Sequence, residues 1–258
     1  MDLNLSEKRA LVCGSTQGMG RSIAKELARC GAKVTLFARD PQRLEEVLGE
    51  LEGEGHDCLV ADFNDLVEVR KQVDAALVRG SYHILINNTG GPAPGPLAAA
   101  SIDQFNETIT RHLHVSHALV QALLPGMKNA GYGRIVNIIS TSVKVPIPNL
   151  GVSNTVRGAM ASWSKTLATE LGEFGITVNN ILPGFINTGR IDSLIKGRAK
   201  SSGQSEEEVK KAMEQTIPAK RFGEPEEIAD YATFLCSSSG AYINGTSLRV
   251  DGGRTGSI

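Results

Sequence analysis

The chain predicts a doubly wound α/β domain, one parallel sheet of seven strands with helices packed on both faces. Three observations carry the prediction. Short β-rich runs alternate with helical patterns from one end of the chain to the other. Each run is apolar at successive positions, as a strand covered on both faces must be. A glycine-rich turn joins the first run to the first helix, a common entry into such a sheet. Strict alternation of β and α elements makes the strands parallel, joined by right-handed crossovers.

The predicted strands are Arg9–Cys13, Lys33–Phe37, Cys58–Ala61, His83–Asn87, Arg134–Ile139, Thr177–Leu182 and Ser247–Val250. After the first, Gly14, Gly18 and Gly20 lead into a helix with Ile23, Ala24, Leu27 and Ala28 on one face. Asp40-Pro41 gives an N-cap followed by proline at the first helical position. Gly90 to Pro96 must be a loop, because its prolines and glycines suit neither regular element. Ser101 with Gln104 reads as a capping box. The helices His112–Lys128 and Leu150–Gly172 carry apolar residues on more than one face, among them Leu113, Leu119, Val120, Met160, Trp163 and Leu167. One face serves the sheet, which leaves another for a further copy and predicts a homo-oligomer. Residues 184–223 are long and polar, with one short helix at Glu206–Gln215, and are expected to cover the substrate as a lid. Pro225 opens a last helix running to about Cys236. No break or repeat divides residues 1–258, so a single domain is expected.

Of the 258 residues, 41% are hydrophobic and 21% charged, and the net charge is −1, as in ordinary soluble domains. That balance gives no footing for nucleic acid or an anionic membrane surface. No run is long and apolar enough to span a bilayer, and Met1 to Arg9 lacks a signal-peptide core, so a cytoplasmic setting is expected. Cys13, Cys30, Cys58 and Cys236 are scattered and read as reduced core thiols. No metal set is expected, since His112, His114 and His117 have no Cys, Asp or Glu nearby to complete one.

The turn reads Gly14-Ser15-Thr16-Gln17-Gly18-Met19-Gly20. Glycine here lets the chain turn tightly and lets a pyrophosphate approach the backbone. The helix N-terminus beyond it offers unpaired N–H groups and a positive dipole end. A dinucleotide site is therefore expected. At the end of the second strand, where an acid would favour NAD, stand Ala38 and Arg39. Arg39 can clamp a 2′-phosphate, and Ser15 or Thr16 can add a hydroxyl. Asp40 is accounted for as a helix cap. NADP is expected over NAD.

Further segments follow in order: Asn87-Asn88-Thr89-Gly90, Arg134 to Ser140, Pro183-Gly184-Phe185-Ile186-Asn187-Thr188, Arg221 to Ala229 and Asp251-Gly252-Gly253. With the glycine turn they make the whole chain resemble the short-chain dehydrogenase/reductase family, 3-oxoacyl-ACP reductases included. The resemblance implies a Rossmann domain, commonly tetrameric, acting on a small-molecule carbonyl, secondary alcohol or acyl thioester. It implies that Asp62 and Phe63 meet the adenine and that Asn88, Thr89 and Gly90 line the cofactor. It also implies that Pro183, Gly184, Ile186 and Thr188 hold the nicotinamide carboxamide.

That family transfers protons with a serine, a Tyr-x-x-x-Lys pair and an asparagine. Ser140 matches the serine. Counting back from Lys165-Thr166-Leu167-Ala168 puts Ser153 at the tyrosine and Arg157 at the lysine; counting back from Leu123-Leu124-Pro125 puts His112 at the asparagine. A phenol of pKa ~10 can be tuned by a neighbouring cation, whereas a serine hydroxyl is far less acidic. Arg157 can still bind ribose hydroxyls, but it holds its proton too firmly to relay it. Losing a positioned general acid costs on the order of 10²–10⁴ in rate, about 3–5 kcal/mol of barrier. None of Tyr82, Tyr132, Tyr231 and Tyr242 is placed by sequence at the active edge. His112 has a suitable intrinsic pKa, though it reads more simply as a packed helix histidine. Lys144 could reach the cleft as a cation, and the lid cations Arg190, Lys196, Arg198 and Lys200 could attract an acidic or phosphate-bearing substrate, but all read more simply as a solvated face. The expected function is an NADP-dependent oxidoreductase with atypical proton transfer. A nucleotide-binding sensor or assembly partner without turnover is the alternative, and a lyase or isomerase that leaves the cofactor unchanged is a third.

Overall fold

The computed structural model describes residues 2–257. Its strands are β1 (Arg9–Cys13), β2 (Lys33–Ala38), β3 (Asp57–Val60), β4 (Ile84–Asn87), β5 (Gly133–Ile138), β6 (Ile176–Pro183) and β7 (Ser247–Val250). They form one parallel sheet in the order β3-β2-β1-β4-β5-β6-β7. β1 and β7 begin and end where the sequence predicts, and the other five shift by one residue at one end or both.

The helices are α1 (Gly18–Arg29), α2 (Pro41–Leu48), α3 (Leu66–Leu77), α4 (Ile102–Ile109), α5 (Val115–Ala130), α6 (Gly151–Leu171), α7 (Gly189–Ser202), α8 (Glu206–Gln215) and α9 (Pro225–Cys236). Strand alternation divides the core into two layers. β1 sends Ala10 and Val12 towards α1, α2 and α9, and Leu11 and Cys13 towards α3, α5 and α6. Each large apolar side chain buried this way contributes roughly 1.5–3 kcal/mol.

A polar chain crosses the interior from β4 to β7. Asn87 Nδ2 donates to Asn137 Oδ1 at 2.8 Å, and Asn137 Nδ2 reaches Ser164 Oγ at 2.9 Å and Asn180 Oδ1 at 3.0 Å. Asn180 Nδ2 then donates to Ser247 Oγ at 3.0 Å. A slip of one strand would strand these buried amides, so the chain fixes register.

Three differences from the sequence reading matter. Residues 184–223 hold two helices, α7 and α8, rather than one. Ile191, Ile195 and Ala199 of α7 pack with Val209 and Met213 of α8, Ile217 and Phe222 into a small core of their own. The helix expected from His112 is instead continuous with α4, through a π turn at Thr110–His114 that runs on into α5. Finally, Leu119, Val120 and Met160 are buried within the chain, whereas Leu113, Trp163 and Leu167 stay half-buried. Half of the second apolar face proposed for α5 and α6 is thus consumed internally.

Candidate active site

The chain leaves β1 towards β2 and β4 towards β5, so the carboxyl ends of β1 and β4 flank the crevice where such sheets take ligands. Gly14 turns there with φ +59°, and a Cβ on it would meet the Asn88 carbonyl oxygen at 2.4 Å. Only glycine lets the two turns close on each other. Asn88 Nδ2 ties them, donating to the carbonyls of Cys13 at 3.3 Å and Gly14 at 3.1 Å.

Three helices, α1, α6 and α7, begin along this edge without a side-chain cap, and α1 and α7 meet. Asp40, Asp65, Ser101 and Ser205 each accept a first-turn N–H in α2, α3, α4 and α8, but no side chain does so in α1 or α7. The Thr188 hydroxyl, at the start of α7, donates back to the Ile186 carbonyl instead. The bare ends abut, since a Cβ on Gly18 would lie 3.0 Å from Thr188 Cγ2. Two positive helix ends with open N–H groups in contact form an anion site that a diphosphate fits. Pro183 closes β6, Gly184 N–H donates to the Val250 carbonyl, and buried Ile186 bridges to Gly223, which brings Thr188 to α1.

At the β2 edge, Arg39 is exposed and lies 3.9 Å from Asp62. Asp40 Oδ1 accepts the Arg43 N–H, so its carboxylate serves as the cap of α2. Arg43 Nη1 reaches Gln17 Oε1 at 3.3 Å and brings a second cation to the glycine turn. The sequence reading passed over it, because a charged residue one turn into a helix carries no mark of its own. Ser15 is a correction. It is fully buried and its Oγ accepts the Phe37 N–H at 3.0 Å, so the hydroxyl serves the sheet and not a phosphate. Thr16 stays half-exposed beside it. Asp62 and Phe63 lie just past β3 rather than in it, with Phe63 edge-on to Phe37 at 5.1 Å.

The other end of the crevice collects the altered positions. Ser140 follows β5 and its Oγ accepts the Ser142 N–H at 3.1 Å, leaving its proton free to donate. Ser153 and Arg157 lie four residues apart on α6 and so share a face. Arg157 is buried; it donates to the Ile138 carbonyl at 2.8 Å and reaches the Thr89 carbonyl at 3.5 Å, and its Nε has no partner. His112, on the π turn, is buried with Nδ1 hydrogen-bonded to the Thr89 hydroxyl and Nε2 unpartnered. Burial, then the charges of Arg157 and Arg111, push its pKa down to about 2. A buried ring held neutral at physiological pH fits the simpler reading of His112 as a packed helix histidine.

No tyrosine replaces it. Tyr82 and Tyr132 precede β4 and β5 at the opposite edge, where their hydroxyls bond Thr35 Oγ1 and the Cys236 carbonyl. Tyr231 stacks on Phe234 in α9, and Tyr242 is fully exposed. Lys144, Lys196, Arg198 and Lys200 are exposed as expected. Arg190 is not simply part of that face: its Nη2 donates to the Pro92 carbonyl at 3.1 Å.

The comparisons agree with this geometry. A family model described as Enoyl-(Acyl carrier protein) reductase matches residues 14–255. Gluconate 5-dehydrogenase of Gluconobacter oxydans (strain 621H) is 32% identical over 99% of this chain and 97% of its own. D-beta-hydroxybutyrate dehydrogenase of Rhizobium meliloti (strain 1021) is 31% identical over 96% and 98%. The crystal structure of L-sorbose reductase from Gluconobacter frateurii, complexed with NADPH and L-sorbose, superposes with a TM-score of 0.94 at 32% identity over 100% of both chains. With its seven-stranded sheet, its glycine turn and relatives that match end to end, the chain belongs to the short-chain dehydrogenase/reductase family.

Proposed function

We propose that the protein is an NADP(H)-dependent oxidoreductase acting on a carbonyl or secondary alcohol, with water in the proton-carrying role of the family's tyrosine. The observation that carries this reading is the meeting of two uncapped helix N-termini, α1 and α7, in the crevice beside β1 and β4. Gly14, Thr16, Gln17, Gly18 and Met19 would line a diphosphate there. Asp62 and Phe63 would face the adenine, and Asn88, Thr89, Gly90, Pro183, Gly184, Ile186 and Thr188 the nicotinamide. Arg39 and Arg43 favour a 2′-phosphate over a bare ribose, and the NADPH in the L-sorbose reductase complex supports the same choice.

The nicotinamide cofactor, when bound, supplies or takes the hydride. Ser140 would hydrogen-bond the substrate oxygen, Ser153 adds a second hydroxyl, the Arg157 charge favours the developing alkoxide, and water supplies the proton that the alkoxide takes up on reduction. Residues 184–223 would close over the substrate. The relatives are named for gluconate, hydroxybutyrate and sorbose, so the frame does not dictate the substrate, and a 3-oxoacyl thioester stays within the proposal. Half-buried Leu113, Trp163 and Leu167 support further burial in a homo-oligomer, for which we propose a tetramer.

One observation favours a second reading, a nucleotide-binding protein without turnover: among the described residues no tyrosine stands at the active edge and His112 is neutral. Fluorescence titration should show wild type binding NADPH at least ~10-fold more tightly than NADH, with most of that preference lost in Arg39→Ala. With NADPH and an activated ketone, Ser153→Tyr/Arg157→Lys should exceed wild type by at least ~10-fold, a fraction of the usual general-acid effect. NADPH that binds but is oxidised by neither protein, with any carbonyl offered, would establish the second reading.

A further inference from the structure

Two guanidiniums converge on Gly91, one from α6 and one from α7. A Cβ built on Gly91 would lie 3.6 Å from Arg190 Nη2 and 3.9 Å from Arg157 Nη2, so a side chain there would fill the space between them. Arg157 is buried and short of acceptors, whereas Arg190 is exposed. Arg157 uses the Ile138 carbonyl at 2.8 Å and, at 3.5 Å, that of Thr89, while its buried Nε has nothing. Arg190 uses the Pro92 carbonyl. These partners are neutral, and among the described residues neither arginine takes part in an ion pair. Arg111, the third cation near His112, differs because Glu107 pairs with it at 3.2 Å.

Two like charges thus meet in the crevice without a counter-charge. Burial and the neighbouring Arg190 lower Arg157 to about 10, which leaves it charged at neutral pH. Such a pair is relieved by an anion that accepts from both planar forks. Ser153, one turn before Arg157 on the same face of α6, sets this spot beside the reacting hydroxyls.

We propose that Arg157 and Arg190 hold a carboxylate of the substrate, so that the protein acts on oxo- or hydroxy-acids rather than on neutral ketones or thioesters. The inference rests on the oxidoreductase reading for its chemistry but not for its test. The same anion chemistry could come from the cofactor's diphosphate, and the arms below separate the two sources.

Titration calorimetry on NADP⁺-loaded protein at constant ionic strength would compare acetoacetate and 2-oxobutanoate with their methyl esters. Wild type should bind at least one acid ~10-fold or more tightly than its ester. Arg190→Gln, a change at an exposed position, should reduce that preference below ~3-fold while leaving NADPH affinity within ~3-fold of wild type. Gly91→Val should abolish the preference without altering charge, by occupying the space between the guanidiniums. The proposal is overturned if acids and esters bind alike or neither binds. It is equally overturned if Arg190→Gln weakens NADPH by more than ~10-fold and spares the acid preference, since the pair then serves the diphosphate. Because calorimetry needs no turnover, an absence of NADPH oxidation would refute the oxidoreductase reading alone.

Discussion

His112 stands where the family pattern has asparagine, and in this chain it hydrogen-bonds to the Thr89 hydroxyl. Burial keeps the ring neutral in the folded state down to about pH 2, whereas the unfolded chain protonates it near 6.5. Stability is therefore fully present above pH 6.5 and is lost below it, by about 1.4 kcal/mol per pH unit. Urea denaturation at pH 7 and pH 5.5 should show wild type losing about 1 kcal/mol more than His112→Asn; parallel losses would mean the ring is not buried as described. Gly14→Ala should cost more than about 1 kcal/mol in the same assay, because φ +59° and the Asn88 carbonyl both exclude a Cβ. Much at this scale was legible in the sequence. The glycines, Asn88 and Arg39 announce themselves because backbone geometry or a missing acid singles them out. Arg43 and Arg190 do not: a surface arginine acquires meaning only from what the fold sets opposite it. Ser15 misled for the converse reason, since a hydroxyl in a phosphate-binding turn looks the same whether it faces the crevice or the sheet.

Among the elements, those with chemical start signals matched best. Asp40-Pro41, Ser101 with Gln104, and Glu206 to Gln215 behind Ser205 all became helices at the expected places. α7 escaped notice because Gly189 and Gly197 lower its propensity and its buried stripe is narrow. Ile191, Ile195 and Ala199 give one apolar residue per turn, enough to face α8 but too few to mark a helix meant for the sheet. The π turn left no trace either, since one extra residue in Thr110–His114 needs no glycine or proline. If α7 and α8 are stabilised mainly by each other, Met213→Ala should open them locally. A cavity there costs about 2–5 kcal/mol, and amide exchange should quicken across 189–215 while β4, β5 and β6 remain protected. Faster exchange in the central strands would show that the segment is not an independent unit.

For the molecule as a whole, alternation of β and α made the parallel sheet legible. The strand order was not, because spacing says which runs are strands but not which are neighbours. Part of what fixes that order is the amide chain from Asn87 to Ser247, a contact set invisible in the sequence because buried asparagines resemble loop asparagines. Asn137→Leu would leave Asn87 Nδ2 without its partner, while Ser164 Oγ and Asn180 Oδ1 still bond each other, and the cost should be on the order of 1–3 kcal/mol by chemical denaturation. A loss well below about 1 kcal/mol would mean that water satisfies the Asn87 amide. Light scattering at micromolar concentration should give a tetramer; a monomer would show that the half-buried residues of α5 and α6 suffice as they are.

The two ends of the excursion between β6 and α9 lie side by side. Gly223 N–H donates to the Phe185 carbonyl at 2.9 Å, and Asn187 N–H donates to the Gly223 carbonyl at 2.8 Å. Between these joints the chain buries its own apolar residues and asks little of the sheet. A stretch with adjacent ends and a private core can be exchanged as a cassette, provided the newcomer keeps the few seats on the host fold that Ile186, Thr188, Arg190 and Ala219 hold here. Recombination at Gly184 and Gly223 would then give one hydride-transferring frame a new clientele in a single genetic event. A designer could use the same two joints to graft a relative's excursion onto this sheet and change its specificity without redesigning its core.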